Sequence, residues 1–545
     1  MTGGTRALLL PAMVVLPLLA ALVLVALPRV GDRLAAELAT AVAAVTAGLA
    51  VVACVAAAPY DSAAPRLAVD VPWIPALGVR AHLGLDGVSV PLVLLTVLLG
   101  LLVCWHAVRV RPVAGRVRGL VACFLAVEGG ALATFTAQDL ILFFVAFEVV
   151  LIPMWCVIAG WGDVTLPGRT APPSSPAPGG EAARRDAAGR FVLYTALGSA
   201  VMLLGLLLVA LRAGTTDLAE LTYRGGAGLD ATTQTVAAAL ILLGLAVKAP
   251  MFPFHTWLPP AHTVAPTGGS VLLAGVLLKM GTYGMVRIAV PVVPDGVRTL
   301  APVLGVLGVV GVLWAGLACF VERDLKRLVA LSSVAHMGFV LLGVASMTPE
   351  GLQGALFANV AHGLVTGLLF LVVGGLKDRA HSADLAALGT GLRDRMPRLG
   401  WLLAFGCVAG LGLPGLAGFW GELLAIAGAW RSEALGPAAR PLAVLGAVGT
   451  AVAAAYLLRV LRLLWHGTAE VMPAAASAGG VAFDGGPALE GVVTQRRAVK
   501  DATAHELAVA APLVVGTVVL GVLPWVLLDV TGPTVRLLLL VGGLP

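Results

Sequence analysis

Long apolar runs without charged residues recur from one end of this 545-residue sequence to the other. A helix that crosses the hydrocarbon core of a bilayer needs about 20 mostly apolar residues, and many of the runs reach that length. Mean hydropathy is +0.99, 59% of the residues are hydrophobic and only 12% are charged. The polar stretches between the runs are too short for a soluble domain of ordinary size. The sequence therefore predicts an all-α polytopic membrane protein.

The apolar runs predict about fourteen membrane spans, whose ends are defined to within a few residues. The spans lie near 7–28, 35–58, 86–107, 119–137, 139–160, 191–211, 235–258, 263–289, 300–320, 327–345, 353–375, 400–429, 441–464 and 508–529. The first run lacks a strongly basic start and is long enough to span. It is therefore assigned to a membrane helix rather than to a signal peptide.

Lysine and arginine are concentrated in the loops that follow odd-numbered spans. Loops rich in these residues stay in the cytoplasm, so we expect both termini on the outer side of the membrane. This distribution also accounts for the net charge of +6 without a nucleic-acid partner. The loops 162–190 and 467–506 are rich in small and helix-breaking residues, and we predict that they are irregular cytoplasmic connections.

Two of the predicted spans contain helix-breaking sequences. Span 7 is interrupted at KAPMFP, which begins with Lys248, and span 12 at GLPGLAGFWGE, which ends with Glu422. The breaks are five spans apart, and a unit of five spans reverses its orientation when it is repeated. We therefore predict two inverted repeats, spans 4–8 and 9–13. The predicted divisions are 1–118 for helices 1–3, 119–290 and 291–465 for the two repeats, and 466–545 for a cytoplasmic loop and helix 14.

Seven ionisable residues lie well inside the predicted spans, away from their ends, where a central Lys or Asp costs about 2.5–3.5 kcal/mol on insertion scales. They are Glu128, Glu148, Lys248, Lys279, His336, His362 and Glu422. Both basic residues of the group are lysine, although the chain contains 30 arginines and only five lysines. A buried lysine can lose its proton near neutral pH, whereas arginine remains charged. Lys248 and Lys279 are therefore predicted to titrate.

The order of the seven residues predicts a series of proton sites. Glu148 and Lys248 are plausible partners that set each other's protonation. Lys279 lies in the middle of span 8, and Glu128 is a possible further member of the series. The alternatives are that Lys248 extends to the membrane surface from a helix end, and that the pair serves only helix packing.

Two histidines and a glutamate continue the series in the second repeat. His336 and His362 lie in spans 10 and 11, and imidazole can relay a proton with either ring nitrogen. Glu422 lies beside the break in span 12, where unwound backbone is tolerated if it lines protein or a hydrated cavity. The alternative for each histidine is a hydrogen-bonded residue of the protein core.

Several other classes of chemistry lack their sequence signatures. All six cysteines lie within apolar runs and none forms CxxC, which argues against a disulfide framework, an iron–sulfur cluster or a thiolate metal site. The ionisable residues have no metal-ligand spacing, and no nucleotide-binding glycine motif is present. We expect no metal and no cofactor in this chain.

Four segments resemble the antiporter-like subunits of respiratory complex I. They are FFVAFEVVLIPMW, VKAPMFPFHTWLPPAHTVAPTGGSVLLAGVLLKMGTYG, ERDLKRLVALSSVAHMGF and LPGLAGFWGE. The resemblance extends from LGLDGVSVPL, at Leu83, through span 13. Glutamate in GFWGE is typical of the M-type subunits, whereas their L-type and N-type relatives typically have lysine there. The sequence is thus most similar to the M type of bacterial NADH–quinone oxidoreductases.

The resemblance implies a fold of fourteen helices and a role for each site residue. Glu148 and Lys248 would form the pair of the first half-channel, Lys279 the central relay, and Glu422 the terminal site. His336 and His362 would connect the two halves.

The resemblance also implies partners and a location. The chain would be a proton-translocating subunit of an enzyme complex in the bacterial inner membrane, beside L-type and N-type subunits and the lipid bilayer. NADH, FMN, iron–sulfur clusters and quinone would belong to other subunits, so quinone reduction elsewhere would drive the protons. Two alternatives remain: a subunit of a multi-subunit Na⁺/H⁺ antiporter, and a membrane subunit of a hydrogenase-type complex.

Overall fold

The structure is a computed structural model that describes residues 8–27, 30–61, 65–110, 116–163, 180–467 and 500–543. Eleven long helices of the described residues precede the second broken span. They are α1 (Leu9–Ala26), α2 (Asp32–Ala57), α3 (Ser89–Arg109), α4 (Val117–Thr136), α5 (Leu140–Trp161), α6 (Gly180–Ala213), α7 (Ala231–Lys248), α8 (Thr267–Val292), α9 (Pro294–Val321), α10 (Leu325–Ser346) and α11 (Pro349–Ala380). Five more follow: α12 (Pro397–Ala409), α13 (Ala417–Arg431), α14 (Ala439–Leu464), α15 (Ala504–Val522) and α16 (Trp525–Val541).

Thirteen helices of the described residues are long and apolar enough to cross a membrane. The predicted span 12 supplies one more crossing as a discontinuous pair, α12 and α13, separated by residues 410–416. The prediction of about fourteen spans is therefore confirmed. Span 7 is also broken as predicted, because α7 ends at Lys248 and the chain becomes helical again only at Leu258–Val264.

A β-hairpin between α2 and α3 is an element that the sequence reading did not include. Strand β1 (Arg66–Ile74) pairs antiparallel with β2 (Val79–Leu85). Gly78 closes the turn with a φ of +68°, a conformation that glycine adopts without strain. The hairpin is short, and its first strand contains Asp70 and Pro72, so its sequence does not stand out against a connecting loop.

Other elements end at different residues from those predicted. Helix α6 begins at Gly180, so the part 180–190 of the loop predicted to be irregular is helical. The last predicted span ends at 529, but the structure has a turn after Val522 and a separate helix, α16. The remaining parts of the predicted cytoplasmic loops, 164–179 and 468–499, lie outside the described residues.

Helix α16 packs against the protein. Thr534 on it accepts a hydrogen bond from the backbone N–H of Gly87, at 3.2 Å. The short helices of the described residues are Pro75–Leu77, Leu218–Arg224, Leu258–Val264, Leu385–Leu388, Leu392–Arg395 and Gly436–Ala438.

Matching aspartates cap helices at equivalent places in the two repeats. Asp139 caps the N-terminus of α5 and Asp324 that of α10, which lies five spans later. Asp217 caps the short helix after α6, and Asp384 caps the short helix after α11. Asp139 pairs with Asp217 through a backbone bridge, and Asp324 pairs with Asp384 in the same way.

The backbone hydrogen bonds around these aspartates are also repeated. The N–H of Leu218 donates to the carbonyl of Gln138 at 2.8 Å, and the N–H of Leu385 donates to the carbonyl of Arg323 at 2.8 Å. An odd number of spans separates the members of each matched set, so the two bridges lie on opposite sides of the bundle. These bridges agree with the inverted repeats predicted from the two breaks.

Helix α8 lies at the centre of the molecule. All of its residues from Gly268 to Val292 are buried within the protein. It contains two π-helical turns, Leu273–Leu277 and Met285–Ala289, on either side of Lys279. Such turns insert one residue into an α-helix, release backbone groups from the regular ladder, and are frequent at functional sites.

Candidate functional site

Lys279 is held at the centre of the bundle by the first π-helical turn and by α11. The side chain is completely buried. Its Nζ donates to the carbonyl oxygen of Ala274, within that turn, at 2.6 Å. It also lies 2.5 Å from Nδ1 of His362. Lysine and histidine share one hydrogen bond here, so one nitrogen must donate and the other must accept.

The contact series continues from His362 across the second repeat. The rings of His362 and His336 have centroids 5.7 Å apart, at nearly a right angle. Nδ1 of His336 lies 3.4 Å from Oε1 of Glu422. The structure thus brings together four of the predicted site residues, which lie on α8, α11, α10 and α13.

A small cavity adjoins this series. His336, His362 and Glu422 line it, together with the hydroxyl-bearing residues Ser332 and Thr366. Nε2 of His362 is buried and has no hydrogen-bond partner among the described residues. Buried polar atoms in proteins are satisfied by protein groups or by ordered water. The polar lining therefore suits water that bridges the two imidazoles.

The break between α12 and α13 shapes the far end of the series. Gly412 in the break has a φ of +72°, and a Cβ added to it would lie 2.9 Å from Oε2 of Glu422. The same oxygen accepts a hydrogen bond from Oγ1 of Thr450, on α14, at 2.8 Å. The broken backbone thus leaves room for a buried carboxylate, as the sequence predicts.

Lys248 and Glu148 lie near one another without a direct bond. Lys248 is only 2% exposed, which contradicts the alternative that it extends to the membrane surface. Its Nζ lies 4.5 Å above the ring of Phe147, the residue before Glu148, and Glu148 acts on it electrostatically. Neither the Nζ nor Oε1 of Glu148 has a hydrogen-bond partner among the described residues.

The end of α7 approaches α8 closely. A Cβ added to Gly281 would lie 2.7 Å from the carbonyl oxygen of Leu245. Gly281 is two residues after Lys279, and Leu245 is three residues before Lys248. The backbones that carry the two lysines are therefore in contact, which brings the Glu148–Lys248 pair next to the central series.

Glu128 is separate from these residues. Its side chain is completely buried, and neither carboxylate oxygen has a hydrogen-bond partner in the described part of the chain. A Cβ added to Gly100 of α3 would lie 2.7 Å from its carboxyl carbon. Its role as a further proton site stays a prediction.

A second buried ion pair, which the sequence reading missed, lies two turns after Lys279 on α8. Nε of Arg287 is 2.7 Å from Oδ2 of Asp86, and both side chains are almost fully buried. Arg287 also donates to Oε1 of Gln138 at 2.9 Å. Arg287 lies near the end of the predicted span 8, and Asp86 is the first residue of the predicted span 3. Neither was therefore predicted to be a charge inside the membrane.

Another ion pair joins the connection between α6 and α7 to the β-hairpin. Nδ1 of His82, on β2, lies 2.8 Å from Oδ2 of Asp217. Burial alone would raise the pKa of Asp217, but its hydrogen bonds, above all the one with His82, hold that pKa below its ordinary value. The pair fixes the hairpin to the cap of the short helix Leu218–Arg224.

His262 and Lys326 are two further buried groups outside the predicted series. His262 lies on the short helix Leu258–Val264, and Lys326 lies in the first turn of α10. The sequence could have indicated Lys326, because it is one of only five lysines. Among the described residues, no group of three or more His, Cys, Asp or Glu could hold a metal ion.

Comparison with known proteins identifies the family. Residues 178–439 match the family described as "NADH:quinone oxidoreductase/Mrp antiporter, TM". The chain is 36% identical to NADH-quinone oxidoreductase subunit M of Rhodobacter capsulatus over 546 residues, which cover 97% of this chain and 95% of that protein. The chain belongs to the subunit M family. The resemblance stated from the four sequence segments is therefore confirmed.

Solved structures share the fold of this subunit M family member. A chain of respiratory complex I from Thermus thermophilus with bound NADH is 28% identical, with a TM-score of 0.79, and the match covers 98% of this chain and 100% of that chain. A chain of the Mrp complex from Dietzia sp. DQ12-45-1b is 26% identical, with a TM-score of 0.78, over 98% of this chain and 97% of that one. The fold is thus common to both kinds of complex.

Proposed function

We propose that this chain translocates protons as the M-type membrane subunit of an NADH–quinone oxidoreductase. Quinone reduction in other subunits would supply the energy. The observation that supports the proposal best is the contact series from Lys279 through His362 and His336 to Glu422. A chain of titratable groups in an otherwise apolar interior is costly and is typical of proton relays.

The central step is the transfer of one proton between Lys279 and His362. When Lys279 is an ammonium, it donates a hydrogen bond to Nδ1 of the neutral imidazole. Transfer along this bond leaves a neutral amine and an imidazolium, so the net charge of the pair does not change. His362 then releases a proton from Nε2 towards His336, so that the ring of His362 becomes neutral again.

Glu422 is the acceptor at the end of the series. A proton on Nδ1 of His336 passes to Oε1 of Glu422, which leaves a neutral imidazole and a neutral carboxylic acid. Thr450 can donate to the carboxylate and can accept from the acid, because a hydroxyl has both capacities. At the other end, the Glu148–Lys248 pair would exchange protons with Lys279 across the contact between α7 and α8.

The family supports further proposals about surroundings. We infer that the chain lies in a bacterial inner membrane with both termini on the outer side, because its basic residues are concentrated in the loops after odd-numbered spans. L-type and N-type subunits would be its neighbours in the complex. NADH, FMN, iron–sulfur clusters and quinone would be bound by other subunits, and this chain would hold none of them.

A second candidate function is that of a subunit of a Na⁺/H⁺ antiporter, which the similarity to the Mrp complex chain supports. The glutamate at 422, where we would expect lysine in such a subunit, favours the first candidate. The two functions differ in their dependence on sodium. Proton movement driven by NADH oxidation in sodium-free medium is expected for the first and not for the second.

The decisive test uses the intact complex in inverted membrane vesicles. Lys279→Arg retains the positive charge but cannot release a proton under these conditions, so NADH-driven acidification should be lost. Lys500→Arg is the matched control, because its side chain is exposed and is not a member of the series. If the Lys279→Arg complex assembles and pumps as well as the control, proton transfer through Lys279 is refuted.

A further inference from the structure

Three of the five lysines, Lys248, Lys279 and Lys326, are almost completely buried. Lys326 is the one that does not belong to the site residues described above. It lies near the boundary that the basic loops assign to the cytoplasm. The chain uses arginine for most of its cations, and arginine makes the better fixed ion pair because its planar head binds carboxylates in two places. A buried lysine at this boundary therefore favours a group that releases its proton.

The surroundings of Lys326 join four segments of the chain. Its Nζ donates to the carbonyl of Ala265, in the connection between the short helix Leu258–Val264 and α8. It lies 3.6 Å from Oδ2 of Asp163, just after α5. Lys377, near the end of α11, lies 2.6 Å from the same oxygen. Asp324, the cap of α10, and Asp378, near the end of α11, are further charged neighbours that act on Lys326.

Exposure falls steadily from the surface to the interior through this cluster. The side chain of Asp163 is 24% exposed, that of Lys377 14% and that of Lys326 2%. A cavity, here called the vestibule, adjoins the cluster, and Asp163, Lys377 and Asp378 line it. Water in this vestibule can reach Asp163 directly, so a proton has access to the carboxylate that contacts Lys326.

His262 is near both Lys326 and the central pair along the chain contacts: it is three residues before Ala265, which binds Lys326, and it packs on Phe370, two turns after His362 on α11. The ring is fully buried and stacks on Phe370, with centroids 4.6 Å apart. Lys326, Lys279 and His362 are all close enough to interact with it electrostatically. Neither of its ring nitrogens has a hydrogen-bond partner among the described residues. An imidazole with two free nitrogens beside buried cations suits a water-bridged relay.

We propose that Lys326 takes up protons from the cytoplasmic vestibule and passes them through His262 to the Lys279–His362 pair, a route that rests on the proton transport proposed above. A proton from vestibule water binds Asp163 and moves to the neutral amine of Lys326, which restores the carboxylate. The ammonium gives a proton through water to one nitrogen of His262, and the imidazolium releases the proton on its other nitrogen to Lys279 or His362. After one transfer Asp163 is again a carboxylate and Lys326 a neutral amine, whereas His262 is neutral in its other tautomer, which must revert before the next transfer.

The test compares conservative lysine substitutions in the intact complex. Lys326→Arg keeps the charge beside Asp163 and a donor for the Ala265 carbonyl, so a purely structural role is preserved. Loss of a positioned proton-transfer group typically slows a reaction about 100-fold or more. We therefore expect assembled Lys326→Arg complex to lose NADH-driven proton pumping. Lys500→Arg is the matched control, because it makes the same change at an exposed lysine outside this cluster, and it should pump normally.

A second pair of variants tests the histidine independently. His262→Gln should also lose pumping, because the amide can hydrogen-bond but cannot carry a proton. His255→Gln is its control and should pump normally: His255 is buried on the same connection but stacks on Phe252 and has no charged group acting on it among the described residues. Normal pumping by Lys326→Arg or by His262→Gln, with Lys279→Arg inactive, overturns the uptake route alone. Normal pumping by Lys279→Arg instead overturns the proposed function.

Discussion

Replacing Gly412 by alanine should reduce proton transfer to Glu422, although no ionisable residue is substituted. Gly412 has a φ of +72°, and a Cβ there would lie 2.9 Å from Oε2 of Glu422. Carbon–oxygen contacts of this kind are normally about 3.3–3.6 Å. The carboxylate is the flexible end of a side chain, so it will move away by about half an ångström rather than displace the backbone.

The movement acts on the two contacts that hold the carboxylate. These are the hydrogen bond from Thr450, at 2.8 Å, and the contact with His336, at 3.4 Å. A hydrogen bond to a charged group contributes about 1.5–3 kcal/mol. About 1.4 kcal/mol corresponds to a tenfold change in proton occupancy. Weakening these contacts should therefore lower proton transfer from His336 to Glu422 by about tenfold.

Gly415 provides the matched control three residues later. Its φ is +89°, and a Cβ there would meet no heavy atom of the described residues within 4 Å. An L-residue in the left-handed region costs about 1–2 kcal/mol, partly offset by the reduced entropy of the unfolded chain. Gly412→Ala and Gly415→Ala should therefore lower thermal stability to a similar extent, but only Gly412→Ala should lower pumping.

The assay is NADH-driven acidification of inverted vesicles that contain equal amounts of assembled complex. A double variant, Gly412→Ala with Glu422→Gln, should pump no worse than Glu422→Gln alone, because effects on one group do not add. The reasoning is refuted if Gly415→Ala impairs pumping as strongly as Gly412→Ala. It also fails if the two substitutions in the double variant have additive effects.

Three further predictions concern other charged groups. Glu148→Gln and Lys248→Met should each abolish pumping and the double variant should be no worse, whereas additive partial losses would show that the residues act independently. Glu422→Asp should keep part of the pumping activity and Glu422→Gln should lose most of it. Wild-type pumping by the Gln variant would make the carboxyl a packing group. The pKa of Asp217 is held below its ordinary value, so its ionised carboxylate stabilises the folded protein. This contribution is complete above about pH 4 and is lost as pH falls through the lowered pKa. His82→Leu should weaken the stability gained between low pH and neutral pH, which thermal unfolding in detergent would measure.

The sequence predicted those features that depend on local hydropathy and on backbone breakers. The spans follow from apolar length, and the two discontinuities follow from Pro and Gly around Lys248 and before Glu422. The repeated bridges also have a sequence signal, because the segment DLAEL, which begins at Asp217, matches the segment DLAAL, which begins at Asp384. The sequence reading used the breaks instead and did not use this second indication of the repeat.

Contacts between distant segments could not be obtained in this way. The pairing of Lys279 with His362 depends on the rotation of two helices about their axes, and hydropathy does not determine that rotation when a helix is buried on every side. For the same reason, the partners of Arg287 and Lys326 were missed: each lies at the edge of an apolar run, where a charge ordinarily reaches water. Only the packing of the neighbouring segments shows that these two are buried.

The two π-helical turns of α8 make its length as important as its composition. Successive residues of an α-helix are about 100° apart around the axis. Deleting one residue from Leu273–Leu277 would restore regular winding there and would turn Lys279 away from His362, although every functional side chain would still be present. A deletion in Met285–Ala289 would leave Lys279 in place but rotate Arg287 away from Asp86. Genes for this subunit should therefore tolerate many substitutions among the apolar residues of α8 but almost no single-codon insertion or deletion within it.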